Sequence, residues 1–314
     1  MFYSYDKKIL GIEFKKLRDD ARLTRERTSE ITNVSIDTIR RIEKGEVIPR
    51  YDTLLMLSEA YKKDLVSFMR FLTPSYELNS YYESMDKLII KYDKSQLNEM
   101  EENLKKLLNW VGRTQFCNQN EIEQLLLVTS SLEHYYAERY VLSFEDAING
   151  LKVGIPNFDV EELECYRYNI LEKRLLTVLS INYSMLGEFE VANKILLVIF
   201  NDMIEALASN IDELKIILKV IFNISYNYHR LSNNDDAYKF ANIGIILCIE
   251  NDLSYLMGHL MFRKGVAEYF MGNDNYIFTL RNCIRHLKNY EMFRLADLYV
   301  KSLAENYKIY LEDD

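Results

Sequence analysis

Three alanines, Ala147, Ala192 and Ala237, stand 45 residues apart in matching surroundings: "LSFEDAINGL" from 142, "GEFEVANKIL" from 187 and "SNNDDAYKFA" from 232. A fourth segment, "GNDNYIFTLR" from 272, follows at a spacing of 40. Each is preceded by an aromatic helical stretch, as in "SINYSMLGEFEVANKIL". A repeat of this length is one supersecondary unit, here two helices joined by a turn. The small alanine early in the second helix lets the two approach closely. Such a hairpin cannot bury its apolar face alone, so neighbours must stack into a superhelix with a concave inner surface. Composition agrees with helix throughout. Of 314 residues 48% are hydrophobic, ample for real cores, while 10 Gly and 3 Pro are too few for strands joined by tight turns. The expected fold class is all-α.

The first 72 residues follow another rule, five short helical stretches with clear punctuation. "KILGIEFKKLRDDARL" sets Leu10, Phe14, Leu17 and Ala21 at spacings of three and four, one apolar face of a first helix. Thr24 is placed to cap a second, "RERTSEIT", and Asn33 with Val34 makes the turn. Ser35 caps a third, with Ile39 and Ile42 inward and Gly45 where a helix end goes left-handed. "YDTLLMLSEAYKKDLVSFMRFL" supplies two more, with Leu54, Leu57, Ala60 and Leu65 inward. Charge divides at the same place. Residues 1–72 carry 15 Lys+Arg against 12 Asp+Glu, whereas the remainder is net −12. One end suits a polyanion and the other repels it, which points to two domains, 1–72 and 73–314, with two tasks.

The pattern "LRxxxxLTxExxxExTxVSxxTIxRIEKGxxxPxxxTLxxL" in the first domain resembles the lambda-repressor-like helix-turn-helix domain of bacterial regulators over roughly 50 residues. The resemblance makes the third helix the one that enters a major groove. It implies that Ile36, Asp37 and Arg41 face base edges, that Arg25 and Arg40 lie near phosphates, and that Arg18 pairs with Glu43 as scaffold. The chemistry of the residues is compatible with this: Arg41 suits guanine, Asp37 cytosine N4, and Ile36 a thymine methyl. Ser35, Thr38 and Lys44 complete the expected DNA-facing set. A single small domain needs a partner, so a homodimer on a palindromic operator in double-stranded DNA is expected.

Residues from about 76 to 312 resemble tetratricopeptide-type (TPR-like) helical hairpins with lengthened helices. Placed on that pattern, Tyr136, Arg139, Thr177, Phe222, Asn223, Tyr226, His229, Phe262, Arg263 and Tyr269 lie on first helices and face the concave side, where amides and arginines hold an extended peptide backbone and aromatics form pockets. The two parts together, including "MGHLMFRKGVAEYFMGN" from 257, resemble the Rgg, PlcR and PrgX group of Gram-positive quorum-sensing regulators. That resemblance implies a cytoplasmic homodimer that binds a short imported signalling peptide and changes its hold on a promoter. The acidic balance of the larger part favours a neutral or basic peptide.

Other classes fit less well. There is no glycine-rich phosphate loop, no nucleophile elbow and no metal-ligand cluster, and His134, His229, His259 and His286 form no constellation, so neither an enzyme nor a bound metal or cofactor is expected. Cys117, Cys165, Cys248 and Cys283 are widely spaced and read as buried reduced thiols of a cytoplasmic protein. Apolar runs such as "LLVIF" from 196 are far too short to span a bilayer, so no membrane partner is expected. Two alternatives stay open: a plasmid or prophage repressor that dimerises without a ligand, and a repeat scaffold that sequesters another protein.

Overall fold

The computed structural model describes residues 7–71, 83, 84, 86, 87, 90, 102, 119–204 and 211–311. Among these there is no strand, and the fold is all-α. The chain divides into two compact units, Met1–Glu83 with Glu102–Leu126, and Ser84–Glu101 with Leu127–Asp314. The division expected between 72 and 73 lies outside the described residues, as does Cys117.

In the first unit α1 (Lys7–Asp20), α2 (Arg25–Thr32), α3 (Ile36–Glu43), α4 (Tyr51–Tyr61) and α5 (Leu65–Phe71) follow the punctuation of the sequence. Thr24 accepts from the Arg27 amide and Ser35 from the Thr38 amide, so each short helix starts on a side-chain cap. Asn33 ends α2 in the left-handed region at φ 56°. At the end of α3 the Gly45 amide donates to the Ile42 carbonyl and the Glu46 amide to the Arg41 carbonyl, which satisfies two otherwise orphaned acceptors. Gly45 sits at φ +67°, and a Cβ there would overlap the Lys7 carbonyl. Across the same crossing a Cβ on Gly11 would lie 2.6 Å from the Glu43 carbonyl oxygen. Two glycines therefore let α1 and α3 touch backbone to backbone. Leu10, Phe14, Leu17, Ile42, Leu54, Leu57, Tyr61, Leu65 and Met69 form the core beneath them.

The second unit stacks helices in pairs. After α6 (Gln119–Tyr136) come α7 (Tyr140–Gly154), a 3₁₀ turn at Val160–Cys165, α8 (Ile170–Met185), α9 (Phe189–Ile204), α10 (Ile211–Arg230), α11 (Asn234–Glu250), α12 (Met257–Phe270), α13 (Tyr276–Asn289) and α14 (Phe293–Ser302), with a π turn at Leu303–Tyr307. From α7 to α14 every helix packs on the next, and α8, α10 and α12 also pack on one another as an inner row. That is the geometry of a helical-repeat stack. Ala147, Ala192 and Ala237 are fully buried on α7, α9 and α11, as the repeat requires. Two serines repeat the register: the Ser131 hydroxyl donates to the Ser143 carbonyl at 2.6 Å, and the Ser225 hydroxyl to the Ala237 carbonyl at 2.7 Å.

Hairpins are stitched by buried polar contacts. Asn182 Nδ2 donates to Ser143 Oγ at 2.9 Å, Ser184 Oγ to Asn227 Oδ1 at 2.8 Å, and Asn227 Nδ2 to Asn193 Oδ1 at 3.0 Å. Such bonds in a low-dielectric core hold one register, because sliding would break them and strand their partners. Asn169 opens α8 with a reciprocal cap: its side chain accepts from the Leu171 and Glu172 amides, and Glu172 accepts from the Asn169 amide. The expectation of buried thiols holds for Cys248 and Cys283 and is corrected for Cys165, which is exposed at the end of the 3₁₀ turn. No helix among the described residues is long and apolar enough to cross a membrane.

Candidate functional site

Two clusters carry chemistry, one in each unit. In the first, Ile39 and Ile42 anchor α3 to the core, and Ser35, Ile36, Asp37, Arg41 and Lys44 are left exposed, with Thr38 and Arg40 half-buried. Period fixes this: residues three and four apart share a face, so the two isoleucines inward turn the polar residues outward. Beneath, Glu43 is buried with its side chain only 2% exposed. It accepts from Arg18 Nε at 2.5 Å and Nη2 at 3.3 Å, and from Arg25 Nε at 2.8 Å. Hydrogen bonding to Glu43 holds the Arg18 guanidinium above its ordinary pKa. Tyr61, pressed against this cluster, is raised to about 12 by burial and then by the Glu43 charge.

The Arg18–Glu43 pair is thus as the resemblance implies, and Arg25 joins it. A carboxylate with a second cation bound at 2.7 Å means that Arg25 is held by the scaffold and reaches solvent with about a third of its side chain. On α3 itself the cations are also engaged. Arg40 donates to Asp37 Oδ1 at 3.0 Å and to Glu46 Oε1 at 3.1 Å, and Arg41 lies 3.7 Å from Glu46. Bonding to Asp37, then to Glu46, raises the Arg40 pKa. Glu46 has no place in the pattern that marked the other residues. It arrives beside both arginines only because the left-handed turn at Gly45 folds the chain back over the helix end.

The second cluster lies on α10 and α12. The Arg263 guanidinium sits 4.8 Å from the Tyr226 ring centroid, 5.5 Å from Phe222 and 5.4 Å from Phe262. Asn223 shares the face of α10 with Phe222 and Tyr226, its amide donating to the Lys219 carbonyl at 2.8 Å. His229, at the end of α10, meets the rings of Phe270 and Tyr307. Burial lowers its pKa, offset by the hydrogen bond to Asn234 and reinforced by the Arg263 and Arg230 charges. Phe222, Asn223, Tyr226, His229 and Arg263 are all half-buried and on first helices of hairpins.

Of the remaining expected groove residues, Tyr136, Thr177, Phe262 and Tyr269 are also on first helices and Arg139 is not. Phe262 is 2% exposed and stacks on Tyr299 with centroids 4.0 Å apart, so it is core. Thr177 is buried, its hydroxyl bonded to the Lys173 carbonyl. Arg139 is not on a first helix but precedes α7 in the connecting turn, and Tyr136 ends α6 beside it. Tyr269 packs on Tyr276 of its own hairpin partner. Phe270 and Tyr307, whose rings meet His229, fall on no motif position.

Residues 9–65 match the helix-turn-helix domain family. No curated protein matches the chain in sequence. Among solved structures, PlcR of Bacillus thuringiensis in complex with the peptide PapR7 and DNA superposes with a TM-score of 0.74 at 17% identity, over 93% of this chain and 99% of that one. The SHP pheromone receptor Rgg2 of Streptococcus dysgalactiae follows with 0.60 at 15% identity, over 95% and 100%. ComR of S. thermophilus in complex with DNA and its signalling peptide ComS gives 0.55 at 15%, over 92% and 97%. The chain shares the fold of these three proteins over 92 to 95% of its length.

Proposed function

We propose that this chain, folded as PlcR, Rgg2 and ComR are, is a DNA-binding transcription regulator that answers to a short peptide. Residues 1–72 grip duplex DNA through α3, while residues 73–314 hold two copies together and receive the ligand. The observation that carries the DNA half is the outward face of α3: Ile36, Asp37, Arg41 and Lys44 exposed on a helix capped at Ser35 and clamped from below by Glu43, within a stretch that matches a helix-turn-helix family. An eight-residue helix with donors, acceptors and an exposed isoleucine has what base edges in a major groove ask for. Lys44, Arg40 and Arg25 supply phosphate attraction once their acidic neighbours yield. A dimer sets two such helices one helical turn apart on a palindromic operator.

The peptide half is supported by the cluster of Phe222, Asn223, Tyr226, His229 and Arg263, which combines flat apolar rings with amide and guanidinium donors. PlcR and ComR were solved with both DNA and a peptide. The coupling is one of linkage: a peptide that prefers one arrangement of the dimer shifts its hold on DNA, and one with equal affinity for both shifts nothing. The protein acts in the cytoplasm, where DNA is. Selecting fragments of the host genome on the purified protein at low salt tests the proposal. A palindromic consensus beside a few genes supports it, and recovery of fragments without shared sequence overturns it.

A further inference from the structure

Several cations of the second unit are paired with carboxylates. Lys173 pairs with Asp202 at 2.5 Å, Lys194 with Glu161 at 3.2 Å, and Lys219 with Asp86. No carboxylate among the described residues pairs with Arg263, and its Nε is sealed from solvent without a hydrogen-bond partner. The unit around it is nonetheless net acidic. Aromatic faces at 4.8 to 5.5 Å repay part of its lost hydration. They leave the in-plane N–H groups of the two Nη atoms, a pair that a carboxylate can meet bidentately.

We infer that Arg263 is the anchor for a carboxylate on the ligand of this unit, with Phe222 and Tyr226 walling the guanidinium. This rests on the peptide-binding reading above and names the chemistry of that ligand: a peptide bearing a carboxylate, either its free C-terminus or an acidic side chain. The net charge of the unit favours a neutral or basic peptide, but charges farther than about 8 Å are screened at physiological salt whereas a partly desolvated arginine in contact is not. The field of Arg263 is felt locally. After burial, which comes first, it is the largest charge depressing the His229 and His259 imidazoles.

The test uses the full-length protein, immobilised, and three pools of synthetic heptapeptides of mixed apolar and aromatic sequence. One pool has free C-termini and no Asp or Glu, one is amidated with a single Asp or Glu, and one is amidated without either. Retained peptides are counted by mass spectrometry for the native protein, Arg263→Gln and Arg263→Lys. Charge-assisted hydrogen bonds predict about ten- to a hundredfold enrichment of one acid-bearing pool over the third. The better of the two acid-bearing pools identifies the source of the carboxylate. Arg263→Gln should erase the preference and Arg263→Lys, which keeps charge but not the paired N–H groups, should retain only part of it. Should Arg263→Gln not fold, the Lys variant still decides. Equal retention of all three pools by the native protein overturns the inference and leaves peptide binding standing. Retention of none removes the peptide reading and the inference together.

Discussion

Replacing Glu43 by Gln is the sharpest test of how the first unit is held. The carboxylate is 2% exposed and receives two guanidinium groups, Arg18 at 2.5 Å and Arg25 at 2.7 Å. Gln keeps the shape, but one oxygen becomes an NH₂ facing cations and the buried compensating charge is gone, leaving Arg18 only the half-exposed carboxylate of Asp19 at 2.7 Å. Arg18 cannot escape to water: it is itself buried, with Nη1 committed to the Leu23 carbonyl at 2.6 Å. Removing one partner of a buried pair costs about 3 to 5 kcal/mol. A core this small rarely supplies more than about 5 kcal/mol, so the unit should become marginal. Native-state hydrogen exchange on the whole chain reads this separately in each unit. Amides of Phe14, Ile39 and Ile42 should exchange about a hundred- to a thousandfold faster, since each decade is about 1.4 kcal/mol, while Leu175 and Ile224 in the second unit should not change. Replacing both Arg18 and Glu43 by Leu should recover most of the loss, because Arg25, a third exposed, is free to turn outward. Acceleration below about fivefold in Glu43→Gln would refute the clamp, as it equals less than about 1 kcal/mol.

Further outcomes follow from single contacts. Glu46→Gln releases Arg41 and leaves Arg40 held only by Asp37, so affinity for a random-sequence duplex should rise by up to about fivefold, the worth of exposed pairs, and the salt slope should steepen; fluorescence anisotropy across salt concentrations measures both. Gly45→Ala should force α1 from α3, because the added Cβ overlaps the Lys7 carbonyl at a φ of +67°, and the melting transition of the first unit should fall sharply with loss of DNA binding. Burial holds the His259 imidazole at about 3, far below the 6.5 of an exposed histidine, so unfolding takes up a proton. The stability it contributes is complete above pH 6.5 and falls as pH drops from there toward 3. His259→Phe, which keeps the ring contacts with Phe222 and Tyr299, should flatten this slope in denaturant titrations of the second unit at pH 7, 5.5 and 4.5.

Much of this was legible in the sequence because local rules decided it. The helices of the first unit begin at Thr24 and Ser35 and end at Asn33 and Gly45, residues whose side chains or freedom at positive φ act on their own backbone, and no distant contact overrides them. The repeat alanines were legible for the same reason: each serves one hairpin. What failed depends on long-range packing. Phe262 and Thr177 carry groove-type side chains in groove-type positions, but the next first helix brings Tyr299 over Phe262, and Thr177 turns its hydroxyl to its own backbone. Arg25 satisfies Glu43 across two helices, which no spacing along one helix announces. Glu46 meets Arg40 and Arg41 through a reversal in the chain, a contact that follows from the geometry of Gly45 and from no motif.

The central claim is that α3 reads DNA. Anisotropy titration of the native protein and Arg41→Ala against a duplex selected from the host genome, and against the same duplex with each base pair of one half-site altered in turn, measures it directly. The native protein should lose about 1 to 3 kcal/mol at several altered positions, and Arg41→Ala should bind more weakly and be indifferent at one of them. If the native protein binds every duplex alike, or Arg41→Ala retains the same profile at every position, α3 does not read the bases.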